Sequence, residues 1–148
     1  MICARNQDGA LEGRLFAGTD SAPHARSAKE SSCGCAGCFS APFAIPLYAQ
    51  AFEEDSGQDL MSCDALFQLF VAFLSESGAR HYGLPLNPND QGLELVAEDN
   101  HIPQSMPYVP GQGPDSTIIP FLAGRKLRYR VQLSPGAGGE NQQENFNS

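Results

Sequence analysis

The segment from Ser62 to Gly78 constrains the fold of this chain most strongly. Ser62 is a typical N-cap residue, Asp64 suits the first helical turn, and Gly78 suits the position just past a helix end. A helix that is apolar nearly all round must be buried against other structure. This one demands more covering surface than a chain of 148 residues obviously supplies. Its apolar residues are Leu66, Phe67, Leu69, Phe70, Val71, Phe73 and Leu74.

The rest of the pattern predicts a mixed α/β chain. The long loop at 21–42 is rich in Ser, Gly, Ala, Cys and Pro, and loops of that length are often functional. Apolar spacing predicts a second helix. The predicted elements are a short buried strand at 14–20, a helix at 43–54, strands at 92–98 and 126–131, an apolar segment at 117–122, an extended loop at 101–114 and a disordered tail after Ser134.

Charge and cysteine usage argue against several classes of function. Nine Lys and Arg against seventeen Asp and Glu give a net charge of -8, which disfavours nucleic acid or an anionic membrane as the main partner. No apolar run approaches the roughly 20 residues of a membrane span, and the N-terminus lacks the order of a secretory signal. The five cysteines are an odd number, which favours free thiols in a reducing compartment. We therefore expect a cytoplasmic protein.

Asp20 and His24, at the end of the first predicted strand and just after it, are candidate functional residues. Asp20 ends that strand, and in parallel α/β folds this rim carries ligand-binding and catalytic residues. A carboxylate there can ligate a divalent metal or act as a general base. Position alone favours the alternative that Asp20 caps the following turn. His24 follows four residues later, after Pro23, and its imidazole can face the same space or the solvent.

A cysteine cluster is the densest chemical motif. Cys33, Cys35 and Cys38 could hold zinc, but a structural zinc site uses four ligands, and the fourth would have to be distant. The alternative is a loop of small residues in which cysteine is a small apolar side chain and glycine allows close backbone approach. The missing fourth ligand favours this alternative.

Several motifs together resemble the bacterial-type dihydroorotases of the amidohydrolase superfamily. Residues 16–24 and 29–39 are similar to the last barrel strand and the following loop of that family, and the similarity continues in the same order over residues 14–132. It includes Phe52-Glu53-Glu54, His81-Tyr82-Gly83-Leu84-Pro85-Leu86-Asn87 and Ile119-Pro120-Phe121-Leu122-Ala123-Gly124. An ordered series of motifs is more specific than any single pattern.

The resemblance implies the C-terminal part of a TIM-like (β/α)₈ metal-dependent hydrolase barrel, incomplete in this chain. It implies the interconversion of N-carbamoyl-L-aspartate and L-dihydroorotate in pyrimidine biosynthesis, with two zinc ions and a possible homodimer. Asp20 matches the aspartate that ligates one zinc and moves the proton. His24 matches the histidine that binds the substrate carboxylate, and Ala36 matches a residue whose backbone contacts substrate.

The chain departs from the family in its remaining metal ligands. The family's His-x-His motif is absent, since the three histidines are His24, His81 and His101, and neither lysine matches the carboxylated one. Residues 1–13 form a poorly matched lead, 14–132 the barrel part and 133–148 a tail. We expect the isolated chain to be inactive. The alternatives are a small cysteine-based metal-binding module and a non-catalytic partner of a full-length paralogue.

Overall fold

The computed structural model describes residues 15–32, 34–87, 92–108 and 117–134, and within them a helical half precedes a sheet half. The helical half contains α1 (Arg26–Lys29), a 3₁₀ turn (Ala41–Phe43), α2 (Ala44–Ser56), α3 (Asp64–Val71), a π-helical turn (Ala72–Glu76) and α4 (Ser77–His81). The sheet half contains β1 (Leu93–His101), β2 (Met106–Pro107), β3 (Thr117–Ile118) and β4 (Lys126–Leu133). No helix in these ranges is long and apolar enough to cross a membrane.

The strands form two small antiparallel sheets. β1 pairs with β4 in a register that places Leu93 opposite Leu133 and Leu95 opposite Val131, and β2 pairs with β3. The register of the larger sheet shifts between Ala97 and Asn100, as at a β-bulge. Both long predicted strands are confirmed. β1 continues three residues past its predicted end, and β2 forms inside the stretch that was expected to be a loop.

The helix predicted at 43–54 is confirmed as α2. Ala49 and Phe52 on its apolar stripe are buried. The helix ends at Gly57, which has φ 68°, and the Gly57 N–H donates to the Glu53 carbonyl at 2.8 Å. This is the left-handed helix end that glycine favours.

The ends predicted for the second helix are wrong. Its N-cap is Cys63, not Ser62, and the helical path runs through the π-helical turn to His81. Gly78 lies inside α4, where a Cβ would come within 3.3 Å of the Phe16 ring. The glycine therefore makes room for a neighbouring side chain, which spacing along the helix does not reveal.

The core lies between α2, α3 and β4. The rings of Phe52 and Phe70 meet edge to face with centroids 5.3 Å apart, a favourable arrangement of aromatic quadrupoles. Tyr129 from β4 and Leu60 from the turn after α2 are fully buried beside them. Packing among these residues joins the helical half to the larger sheet.

The buried strand predicted at 14–20 is not formed in its described part, residues 15–20. Leu15 is exposed, and a buried strand needs hydrogen-bonded neighbours on both sides. In the described ranges this segment is held by single bonds, such as Ala17 N–H to the Phe73 carbonyl at 3.0 Å. Parallel pairing there is limited to an isolated bridge between Ser21 and Cys38, so these ranges form a small α/β unit with a partial sheet and not a barrel.

The outer segments fall mostly outside the described residues. This applies to the poorly matched lead at 1–13 and to residues 135–148 of the tail. The first two residues assigned to the tail are described: Leu133 pairs with Leu93 in the larger sheet, and the Ser134 N–H donates to the Gly92 carbonyl at 3.0 Å.

Candidate functional site

The two ends of the long loop after Asp20 are hydrogen-bonded to each other. The Ala22 N–H donates to the Cys38 carbonyl at 2.9 Å, beside the parallel bridge between Ser21 and Cys38. The Ser21 hydroxyl accepts hydrogen bonds from the N–H groups of Ser40 and Ala41, both at 3.0 Å. These bonds fix the Asp20–His24 segment against the end of the cysteine-rich segment. Along the chain, α1 lies between these two segments.

Gly37 permits the close approach of the two segments. Its φ is 91°, in the region that side chains disfavour, and a Cβ there would lie 2.5 Å from the Cβ of Ala22. Two carbon atoms that are not bonded to each other do not approach so closely. The glycine at position 37 therefore has a packing reason that is independent of metal binding.

Lys29 ties α1 to the same loop. Its ammonium donates to the Cys35 carbonyl at 2.5 Å and also to the Gly37 carbonyl. Ala36, the predicted backbone contact for substrate, lies between these two residues and is exposed. Sequence reasoning did not single out Lys29, because no local pattern marks a lysine that bonds main-chain carbonyls.

A cavity of about 250 Å³ opens beside this loop, and half-buried His24 lines it together with Cys38. Arg26 pairs with Glu30 at 3.0 Å on one side of it. Apolar residues that line the cavity include Ile118, Ile119 and Phe121. The structure therefore brings the predicted imidazole and the cysteine loop into one concave surface.

Asp20 and Ala36 do not line that cavity. Asp20 is exposed, directly before the bridge residue Ser21, and has a left-handed φ of 43°. The preceding Gly18 is fixed to α2 because the Tyr48 hydroxyl donates to the Gly18 carbonyl at 3.0 Å. Asp20 thus projects from a held backbone at the edge of the loop.

The described residues do not build a zinc site on their own. Within them, no group of three or more His, Cys, Asp or Glu side chains is placed to hold a metal ion. A zinc site takes four protein ligands, or three with one open position. Cys33 lies outside the described residues, while Cys35 and Cys38 are free thiols. A metal at Asp20 would require ligands from outside these ranges.

A second polar cluster, which sequence reasoning missed, surrounds Glu53. Its carboxylate accepts hydrogen bonds from the Tyr129 hydroxyl at 2.5 Å, the Leu60 N–H at 2.7 Å and the Arg128 guanidinium at 3.0 Å. Burial, together with the hydrogen bond to Glu53, raises the pKa of Tyr129, and the guanidinium of Arg128 lowers the pKa of Asp59. Arg128 and Tyr129 are distant from Glu53 in sequence, and their bonds to Glu53 join α2 to β4. Their role is structural.

Solved structures of dihydroorotases resemble this chain. The crystal structure of dihydroorotase from Saccharomyces cerevisiae, in complex with 5-fluoroorotic acid, is 32% identical with a TM-score of 0.65. The match covers 84% of this chain and 31% of the yeast chain. The chain is a dihydroorotase-like fragment.

The fragment also shares its fold with dihydroorotase from Campylobacter jejuni, at 24% identity and a TM-score of 0.55. That match covers 82% of the fragment and 30% of the Campylobacter chain. The fragment thus spans about a third of the length of these two relatives. A scan against protein-family models found no match.

Proposed function

We propose that the fragment supplies the substrate loop and one metal-ligating carboxylate of a dihydroorotase-type zinc hydrolase, and that it is inactive alone. The reaction is the interconversion of N-carbamoyl-L-aspartate and L-dihydroorotate. Asp20 is proposed as a metal ligand and proton carrier, His24 as the partner of the substrate carboxylate, and Ala36 as a backbone contact. Two zinc ions, cytoplasmic location and a homodimeric complete enzyme remain predictions.

The 32% identity to yeast dihydroorotase over 84% of the fragment carries this proposal. The yeast structure contains 5-fluoroorotic acid, which is a carboxylic acid. A carboxylate suits the chemistry of the loop cavity, where His24, Arg26 and Lys29 are all basic residue types. Arg26 already pairs with Glu30, and the Lys29 ammonium already donates to the Cys35 and Gly37 carbonyls. Of these three residues, His24 is therefore the one that we propose meets the ligand.

The backbone of Asp20 gives local support. A left-handed conformation at a residue other than glycine costs about 1–2 kcal/mol, and such strain persists where the surrounding structure holds it. The bonds of Ser21 and Ala22 hold it here. Strained positions of this kind are frequent at functional sites.

The proposal is tested by a chimera in which residues 15–134 replace the matching part of the yeast dihydroorotase. We expect the folded chimera to cyclise N-carbamoyl-L-aspartate, and Asp20→Asn to reduce kcat by at least about 100-fold. Asp55→Asn, at an exposed position near the end of α2, is the matched control and should retain activity. His24→Ala should raise KM.

Two results would contradict the proposal. One is a folded, zinc-loaded chimera without activity, and the other is a chimera whose activity survives Asp20→Asn. Cyclisation by the pure 148-residue chain with zinc would refute the predicted inactivity of the fragment alone.

The cysteine-based metal module and the non-catalytic partner of a paralogue remain predictions from the sequence. No observation in the described ranges favours the metal module. The positive ammonium of Lys29 lies against the Cys35 carbonyl, which is an unfavourable neighbour for a second cation.

A further inference from the structure

The side chain of Lys29 reaches from α1 to the cysteine-rich loop. Its ammonium donates to the Cys35 carbonyl at 2.5 Å and also to the Gly37 carbonyl, so one cation binds the carbonyls on either side of Ala36. Hydrogen bonds from a charged donor are stronger than bonds between neutral groups. The main chain around Ala36 is therefore anchored on both sides by a single side chain.

The ends of α1 hold Lys29 in place. The Arg26 guanidinium pairs with Glu30 one turn further along the helix, at 3.0 Å. Directly after the helix the chain turns, and the Gly34 N–H donates to the Ser31 carbonyl at 3.1 Å. This turn leads the following residues back along α1, where the Lys29 ammonium meets their carbonyls.

The geometry of the peptide group extends this anchoring to the Ala36 N–H. In a trans peptide the carbonyl and the N–H point in opposite directions, and the described residues contain no cis peptide bond. Because the Cys35 carbonyl points at the ammonium, the Ala36 N–H points away from Lys29. A hydrogen bond to the carbonyl also polarises the peptide group, which makes its N–H a stronger donor. Lys29 thus controls both the direction and the strength of this donor.

We propose that Lys29 is a positioning residue, which presents the Ala36 N–H to an acceptor oxygen of the substrate. The inference rests on the proposed function, in which the backbone of Ala36 contacts the substrate and His24 meets its carboxylate. Lys29 acts through the loop, because two of its three N–H groups are already occupied by main-chain carbonyls. Its removal should therefore affect substrate binding and not the chemical step.

The first test measures the contact between Lys29 and the loop by NMR in the 148-residue chain. Lys29→Met keeps a long side chain that favours helix but removes the ammonium. Lys126→Met is the matched control, since it removes the other lysine of the chain, which pairs with Asp99. We expect the carbonyl carbon resonances of Cys35 and Gly37 to move in Lys29→Met and to stay in place in Lys126→Met. Unmoved resonances in Lys29→Met would overturn the proposal.

The second test measures cyclisation kinetics in the yeast chimera. A backbone contact made equally in the bound substrate and in the transition state affects KM and not kcat. Lys29→Met should therefore raise KM for N-carbamoyl-L-aspartate at least about tenfold and keep kcat within about threefold. Lys29→Arg retains a cationic donor and should recover most of the lost affinity. Lys126→Met should change neither constant.

A merely structural role of Lys29 would give a different pattern. Loss of folded protein lowers the active fraction, and therefore the apparent kcat, without raising KM. A fall in kcat at unchanged KM would overturn the proposal. An equal rise of KM in Lys29→Arg and Lys29→Met would also overturn it.

The two tests distinguish the role of Lys29 from the proposed function. An inactive unsubstituted chimera, together with the expected carbonyl shifts in the 148-residue chain, would contradict the proposed function and the contact with substrate, while the anchoring of the loop by Lys29 would stand. An active chimera in which Lys29→Met leaves KM unchanged would overturn the role of Lys29 and leave the proposed function intact.

Discussion

Gly37→Ala tests whether close approach of two chain segments holds the loop at the candidate site. The new Cβ would lie 2.5 Å from the Cβ of Ala22, although ordinary contacts begin near 3.4 Å. The two segments must therefore separate by about 1 Å. Such a shift lengthens the 2.9 Å bond from the Ala22 N–H to the Cys38 carbonyl beyond hydrogen-bonding range.

Two costs determine the size of the effect. An alanine with φ near 91° loses about 1–2 kcal/mol relative to glycine, and the broken bond costs about 1 kcal/mol. The local opening free energy should fall by about 2–3 kcal/mol, which corresponds to a rise of about 30–150-fold in the exchange rate of the Ala22 amide. Gly34→Ala is the control: its φ is also positive, at 54°, but its Cβ would meet nothing closer than 3.8 Å.

Hydrogen exchange measured by NMR at the Ala22 amide is the assay. Gly34→Ala should raise the rate by at most about 30-fold, and by about fivefold less than Gly37→Ala, because it adds the backbone cost without the clash and the broken bond. If the two variants differ by less than about threefold at this amide, the close approach of Gly37 to Ala22 does not hold the loop.

Three further predictions concern the stability of the described unit. Tyr129→Phe removes the hydroxyl that donates to Glu53 and should cost about 1 kcal/mol in urea unfolding at pH 7. Burial raises the pKa of Tyr129 above 10.0, so the stability that its protonated hydroxyl contributes is complete below pH 10 and declines as pH rises further. Tyr129→Phe should lack this loss of stability at alkaline pH. An equal loss in both proteins would contradict the prediction. Arg128 lowers the pKa of Asp59, so their ion pair should stabilise the folded state above pH 3.8 and weaken as pH falls below it. Asp59→Asn should therefore make the free energy of unfolding depend less on pH in the acid range. An unchanged acid dependence would show that the pair contributes nothing. Phe70→Ala should cost about 3–5 kcal/mol, and a loss below about 1 kcal/mol would mean that the core opens around it.

Local patterns predicted the long elements and failed at their ends. α2, α3, β1 and β4 carry their periodicity in adjacent residues, so the sequence alone indicates them. Gly78 was predicted to follow the end of the helix but lies inside α4, beside the Phe16 ring, which is more than 60 residues away in sequence. Residues 15–20 have strand-like composition, but a strand also needs neighbours, and composition does not supply them.

The candidate site was predicted only in part. The Asp20–His24 spacing and the resemblance to dihydroorotases nominated Asp20, His24 and Ala36, and the structure places His24 in the loop cavity. Lys29 was missed because its partners are main-chain carbonyls, which have no signature in sequence. Glu53 was missed for a different reason, since its hydrogen bond to Tyr129 joins residues 76 positions apart.

Helix α3 and the candidate metal ligand Asp20 are both incompletely surrounded by the described residues. A helix that is apolar nearly all round requires cover on every side. The core covers Leu66 and Phe70 of α3, but Phe70 and Val71 also line an open cavity of about 1080 Å³. The carboxylate of Asp20 likewise has too few neighbouring ligand side chains among the described residues to hold zinc. Missing apolar cover and missing ligands are independent physical signs. Both agree with the proposal that this unit is part of a larger dihydroorotase-type enzyme, whereas a self-contained metal module would explain neither.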